Sequence, residues 1–330
     1  MKLCTFVHEG SERVGLLKDK QSLADITTAY AAYLHNRGEK RAYELADVLT
    51  PPSMREIIEG GDSSFKAIRE VEEILKAKPD MTGPKGERII HPLDRIKLLA
   101  PVPNPRKILA PALNHRQGWE KIIRPETEPH PVYFIKLPSC VTGAFDPIEI
   151  PDIGVVGSEV EIGAVIGKKG KNIRLEDAEK YVFGYTVHND ITGHEMRKTE
   201  EWIIVKGPDG TEEKLTYAGR YKCFDTFAPM GPWIVTPDEI KDIHNCKMEA
   251  KVNDELVQDG SSADMVFKFP ELISYFSKAH TLEPGDIISS GTVKSAAGWN
   301  IMRIDLRKLG GVLESAVEGI GVMRNPIKPI

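Results

Sequence analysis

The sequence predicts an α+β protein in which a small α+β unit precedes a larger β-rich domain. Three observations predict it. Amphipathic helical patterns are concentrated in the first hundred of the 330 residues. A Pro-rich passage, "LLAPVPNPRKILAPALNH", marks a boundary near residues 99–106. Beyond it, short β-like runs outnumber helices and no β-α-β rhythm appears, which excludes a doubly wound sheet. The chain is too long for one ordinary core, so domains are expected at 1–100 and 101–330.

In order along the chain, "KLCTFVH" and "RVGLLKD" read as a hairpin around Glu9–Gly10–Ser11. "LADITTAYAAYLHNRG" has helical spacing with a glycine stop at Gly38. Pro52 and the Ser53/Glu56 pair predict a capped short helix, and "DSSFKAIREVEEILKAK" predicts a longer amphipathic one. The second domain should hold strands in "KILAPAL", "PVYFIKLP", "EVEIGAVIG", "YVFGYTVHND", "CKMEAKVND" and "DIISSG". Helices are expected from Thr236-Pro237-Asp238-Glu239 and from Pro270-Glu271-Leu272. Residues 205–222, polar and glycine-containing, read as an exposed hairpin or flap.

The bulk properties narrow the function. A net charge of −5 with interspersed signs, and no Lys/Arg-rich run, argues against nucleic acid or an anionic membrane as partner. No apolar run reaches the roughly 18–20 residues that span a bilayer. The first residues break their apolar stretch at His8 and Glu9, so no signal peptide is expected there. Four scattered cysteines without a CxxC pair suit reduced thiols in a cytoplasmic enzyme.

Chemistry concentrates in "SEVEIGAVIG", residues 158–167. Val160, Ile162, Ala164 and Ile166 share one strand face, while Glu159 and Glu161 stand on the other, roughly 6–7 Å apart. A solvated face would tolerate the pair. The apolar continuation belongs to a buried strand, however, where carboxylates need a cation or strong donors. Hard oxygen ligands suit Mg²⁺, Mn²⁺ or Ca²⁺, with a third carboxylate nearby. Asp190, at the end of another apolar strand, is the candidate, although an Asp there also starts turns. His188 and His194 lack zinc-site spacing.

These motifs, with "KCFDTFAPMGPWIVTPDEI", "KVNDELVQDGSSADMVF" and "TLEPGDIISSGT", occur in the order seen in the fumarylacetoacetate hydrolase family, which the chain resembles from about residue 106 onward. The resemblance implies a mixed β-roll around a metal site, and a homodimer. It implies Mg²⁺ or Mn²⁺ held by Glu159, Glu161 and Asp190, and a small 2-oxo acid substrate of the acylpyruvate kind, as in aromatic catabolism. Lys222 falls on the family's active-site lysine. Gly291 and Thr292 fall on its Gly-Thr turn, expected to hold a substrate oxygen by hydroxyl and backbone N–H, and Lys136 on a lysine near the site.

Two places depart from the family pattern. Where it reads "NYxDHxxE" on a lid, this chain reads "NHRQGWEK", so Gly118 stands at the usual catalytic His. His115 with Glu120 is the replacement pair considered. On a helix the two would lie about 140° apart, and Glu120 with Arg116 is an equal alternative. Lys121 also lies near the position of the family's Glu. After Asp190, "TGHEMR" replaces "SARDxQ". Arg197 there could clamp a further substrate carboxylate, and His194 and Glu195 are other proton-transfer candidates.

The reading ranks hydrolysis of a C–C bond in a 2-oxo or β-diketo acid first. Decarboxylation, tautomerisation or other isomerisation, and hydration or lyase chemistry come second, followed by metal or oxo-acid binding without catalysis.

Overall fold

Strand follows strand in the second half because β-branched residues alternate there, and the fold is α+β with mixed sheets. The computed structural model describes residues 1–120 and 129–330. Ten strands run across the larger sheet in the order Ile90–Pro92, Ser22–Asp25, Ser11–Leu17, Lys2–His8, Ala228–Val235, Val182–Asn189, Val160–Ile166, Ile287–Ser289, Ile108–Ala112, Val132–Lys136. The short strands Lys97–Leu98 and Val141–Gly143 pair off this path. A five-stranded sheet carries Glu255–Ser261, Lys247–Val252, Val312–Val317, Gly321–Pro329 and Ile148–Ile150.

The alternation read from the sequence sets the core. Val160, Ile162, Ala164 and Ile166 pack into one cluster with Val187, Met248, Ala250, Leu313 and Met323, while Val165 points into another with Ile108, Met230 and Ile287. Both faces of this strand are dry, so it reads as a continuous apolar run. Every residue from Val160 to Ile166 is buried, Glu161 among them.

The N-terminal hairpin forms as expected, with Glu9 and Gly10 at φ of 49° and 76°, as a two-residue type I′-like turn requires. It also extends the larger sheet: Lys2 pairs with Val235 and Leu3 with Ile234. The first hundred residues therefore share a sheet with the region carrying the carboxylates. Helices Met54–Glu59 and Gly61–Ala77 form as read, the first with Ser53 accepting from Glu56 N.

Three elements differ from expectation. The first helix begins at Ile26 rather than Leu23, because Asp25 accepts from Thr28 N as its cap and Ser22–Asp25 joins the sheet. A helix at Ala42–Leu49 has no side-chain cap and so no start signal in the sequence. The helix expected at residues 236–239 is a single 3-10 turn, Pro237–Glu239. The Thr236 hydroxyl accepts from the Met1 ammonium at 2.6 Å instead of capping a helix. Among the described residues no helix is long and apolar enough to cross a membrane.

Candidate metal centre

Antiparallel pairing of Val160–Ile166 with Val182–Asn189 sets Glu161 opposite His188 and Val160 opposite Asn189. One step beyond, Asp190 N donates to Glu159 O at 2.8 Å. Strand register thus gathers Glu159, Glu161 and Asp190, and one oxygen from each lies within 4.8 Å of the others. Glu161 and Asp190 are buried, while Glu159 keeps 16% of its side chain exposed.

Two buried ammonium groups meet these carboxylates. Lys136 Nζ lies 2.5 Å from Asp190 Oδ1 and also donates to the Lys222 carbonyl. Lys222 Nζ donates to Glu159 Oε2 at 2.9 Å, to Thr192 Oγ1 at 2.7 Å and to Asp190 Oδ2. Lys136, expected only near the site, is a direct partner of the third carboxylate and fully buried.

The environment splits the acids. Burial opposes ionisation of Asp190, but Lys136 and Lys222 outweigh it and hold that carboxyl well below its usual range. Among the described residues no ammonium contacts Glu161. Burial and then the neighbouring Asp190 push it up to about 8, against a hydrogen bond from Ser289. Glu159 is also raised, by burial first, with Lys222 opposing. Burial works against the Lys222 charge, yet Asp190 and Glu159 raise it above the usual lysine value. In this arrangement Lys222 is a protonated ammonium that donates hydrogen bonds to Glu159, Asp190 and Thr192.

The Gly-Thr turn makes its hydrogen bonds to the strand that carries the glutamates. Gly291 N donates to Glu161 Oε2 at 3.1 Å, and the Thr292 hydroxyl donates to Val160 O at 3.0 Å while accepting from Gln258 Nε2 at 2.9 Å. Both groups hold the Glu-x-Glu strand in place. Gly291 has φ 79°, and a Cβ there would come within 2.9 Å of Asn114 Cβ, so glycine is required twice over.

Around this centre, His194 is fully buried, 4.0 Å from Glu159 Oε1, with neither ring nitrogen hydrogen-bonded. Burial, then the Lys222 and Arg197 charges, lower it to about 3. Arg197 itself is exposed. Glu195 is exposed and accepts from Val155 N at 3.1 Å. His188 meets Pro229 O at 3.2 Å.

At the lid segment, His115 is buried but its carboxylate neighbour is Asp264, 3.5 Å from Nε2. Arg116 also approaches Asp264, at 4.0 Å. Glu120 is exposed and follows the four-residue helix Arg116–Trp119. His115 and Glu120 flank that helix at opposite ends, which separates them. Gly118 packs on Leu113, whose φ is 56°. Lys121 lies outside the described residues. Ser289, Thr192, Gln258 and Asp264 escaped the sequence reading. Thr192, two residues past Asp190, carried the only local signal.

The profile described as "Fumarylacetoacetate (FAA) hydrolase C-terminal" matches residues 107–328. The chain belongs to the fumarylacetoacetate hydrolase family. Within it, the chain is 33% identical over 318 residues to oxaloacetate tautomerase YisK of Bacillus subtilis, covering 95% of each. It is 34% identical over 285 residues to the mitochondrial oxaloacetate tautomerase fahd2 of Xenopus laevis, covering 85% of this chain and 80% of that one. Among solved structures, maleylpyruvate hydrolase from Sphingobium sp. SYK-6, in complex with manganese(II) and pyruvate, superposes with TM-score 0.67 at 26% identity over 100% of this chain and 99% of that one. As a fumarylacetoacetate hydrolase family member the chain has enzymes as its relatives, and they act on small 2-oxo acids.

Proposed function

We propose that this family member is a divalent-metal-dependent enzyme that interconverts the keto and enol forms of a small 2-oxo dicarboxylic acid, of the oxaloacetate class. The observation that carries the reading is the protonated Lys222 held against Glu159 and Asp190, beside the carboxyl group of Glu161, which no ammonium contacts among the described residues. This constellation serves proton transfer at a carbonyl and requires no activated water.

Glu159, Glu161 and Asp190 would hold the ion. Their all-oxygen donor set fits Mg²⁺ or Mn²⁺ with coordination positions left open, and fits Ca²⁺, which takes more ligands, less well. Once bound, the dication polarises the 2-oxo carbonyl and steadies the negative charge that develops on its oxygen. With Glu161 protonated, two ammoniums balance the Glu159 and Asp190 carboxylates, and a dication that displaces the Glu161 proton would leave the pocket with one net positive charge, in favour of an anionic substrate. Arg197 is the candidate for a second substrate carboxylate. Lys222 gives its proton to the carbonyl oxygen as a base removes one from the adjacent carbon, and His115 is the candidate base.

The raised Glu161 carries a testable consequence. Metal uptake should expel its proton below about pH 8, so Mn²⁺ affinity should fall on acidification and level off above that pH. Calorimetric titration in buffers of different ionisation enthalpy measures the proton count. A count independent of pH from 6 to 9 would contradict the assignment.

Hydrolysis of an acylpyruvate-like C–C bond is the second reading, favoured by the likeness to maleylpyruvate hydrolase. The two separate cleanly when metal-reloaded protein meets oxaloacetate and a panel of acylpyruvates in ¹⁸O-water. Faster enol–keto conversion with no cleavage products supports tautomerisation. Cleavage into two acids with one labelled oxygen overturns it in favour of hydrolysis.

A further inference from the structure

We propose that Asp264 is a positioning residue that fixes the tautomer of His115 and makes it the base of the lid side of the site. The inference rests on the tautomerase reading for the reaction, and on geometry for the pair itself.

His115 is held rigidly. Its neighbour Asn114 donates through Nδ2 to Phe267 O at 2.9 Å and to Ser290 O at 2.8 Å, and accepts from Phe267 N at 2.8 Å. Val266 N donates to Asn114 O at 3.2 Å, and His115 bridges to Met265 across the same pairing. The segment carrying Asp264 is therefore zipped to the segment carrying His115. Asn114 also packs against Gly291, whose N–H holds Glu161. A short chain of contacts thus links the imidazole to a carboxylate of the candidate metal centre.

The ring's Nε2 is enclosed and has no hydrogen bond, and the carboxylate it faces is Asp264 Oδ2 at 3.5 Å. An enclosed nitrogen with one acceptor opposite is the N–H end of a neutral imidazole. That leaves Nδ1 as the lone-pair nitrogen for the substrate's carbon-bound proton. Catalytic hydrogen bonds are often long in an unliganded protein and tighten when substrate arrives. Glu120, exposed and beyond the short helix, cannot supply this support. Among the described residues the charged groups that bear most on the ring are Asp264, Lys294, Arg116 and Lys268; burial and the three cations favour its neutral form, and Asp264 opposes them.

The test compares wild type with Asp264→Asn and Asp264→Glu, using the intact, metal-reloaded protein and oxaloacetate. Asp264→Asn should lower kcat by about 10–100-fold, part of the roughly 10²–10⁴-fold that a positioned base supplies, with KM changed less than about twofold. Losing that negative charge lowers the His115 pKa, so the acid limb of kcat/KM should move to lower pH. Asp264→Glu should restore part of both. In parallel, ¹⁵N NMR of the metal-free protein should find His115 protonated at Nε2 in wild type and mixed between its nitrogens in Asp264→Asn. An unmoved acid limb with unchanged kcat in an active enzyme overturns the inference and leaves the tautomerase reading standing. Should wild type turn over no 2-oxo acid, that reading falls, and the NMR alone decides the pair: an unchanged tautomer in Asp264→Asn overturns it.

Discussion

Lys222→Met is expected to lower turnover by about 10²–10⁴-fold, the range lost with a positioned proton donor, while the protein still binds its metal. The Lys222 ammonium touches Glu159, Asp190 and Thr192 and is nearly enclosed. Methionine keeps much of its length and none of its charge. In the metal-free protein the change leaves Glu159 and Asp190 facing one another with only Lys136 between the site and a net negative charge, at a cost of about 3–5 kcal/mol for a broken buried pair. A dication offsets that charge, so metal should raise the Tm of the variant more than that of wild type. Turnover, metal content and the two Tm values read this out together. Wild-type turnover in a metal-loaded Lys222→Met protein would remove Lys222 from the mechanism.

The second large effect separates two ligands that look equivalent in the sequence. Glu159→Gln and Asp190→Asn should both abolish tight Mg²⁺ or Mn²⁺ binding. From the sequence, both changes should cost metal and spare the fold, but the structure divides them. Asp190 is the only carboxylate that contacts Lys136 among the described residues, and Lys136 has no exposed surface. Asp190→Asn strands that charge and should cost about 3–5 kcal/mol of stability. Glu159 is partly exposed and shares Lys222 with Asp190, so Glu159→Gln should cost much less. The pH sign follows from the depressed Asp190 carboxyl. Its stabilisation is fully present above the ordinary carboxylate pKa of about 3.9 and drains away as pH falls below it toward the folded value. The stability gap between wild type and Asp190→Asn should therefore narrow in acid. Equal denaturation midpoints for the two variants at pH 7 would contradict this division.

The triad was legible in the sequence because its information is local. Alternation placed Glu159 and Glu161 on one face; a second apolar strand ended at Asp190, which the residues alone left open as a turn starter and the family resemblance assigned as the third carboxylate. Pairing the two strands is then enough to bring the three together. Partners from distant segments were not legible. Lys136 reaches Asp190 across 54 residues of chain, Thr236 holds the N-terminus across 235, and Asp264 meets His115 only because the Asn114 contacts dock one loop on another. The same limit hid the junction of the N-terminal hairpin with the larger sheet, since nothing in Lys2–His8 specifies Ala228–Val235 as its neighbour. The Gly-Thr turn was found but its contacts within the protein were not, because spacing does not reveal that the Val160 carbonyl takes the Thr292 hydroxyl.

In the proposed reaction the Glu159–Glu161–Asp190 centre, with Lys222, moves a proton between carbon and oxygen of a 2-oxo acid. Proton NMR of oxaloacetate in D₂O, following deuterium entry at the carbon beside the 2-oxo group, tests it most directly. Protein reloaded with Mg²⁺ or Mn²⁺ should accelerate exchange well above the rate with the metal ion alone, and both stripping the metal and Lys222→Met should return it to that background. Exchange that stays at the background rate in fully metal-loaded wild type would contradict the account.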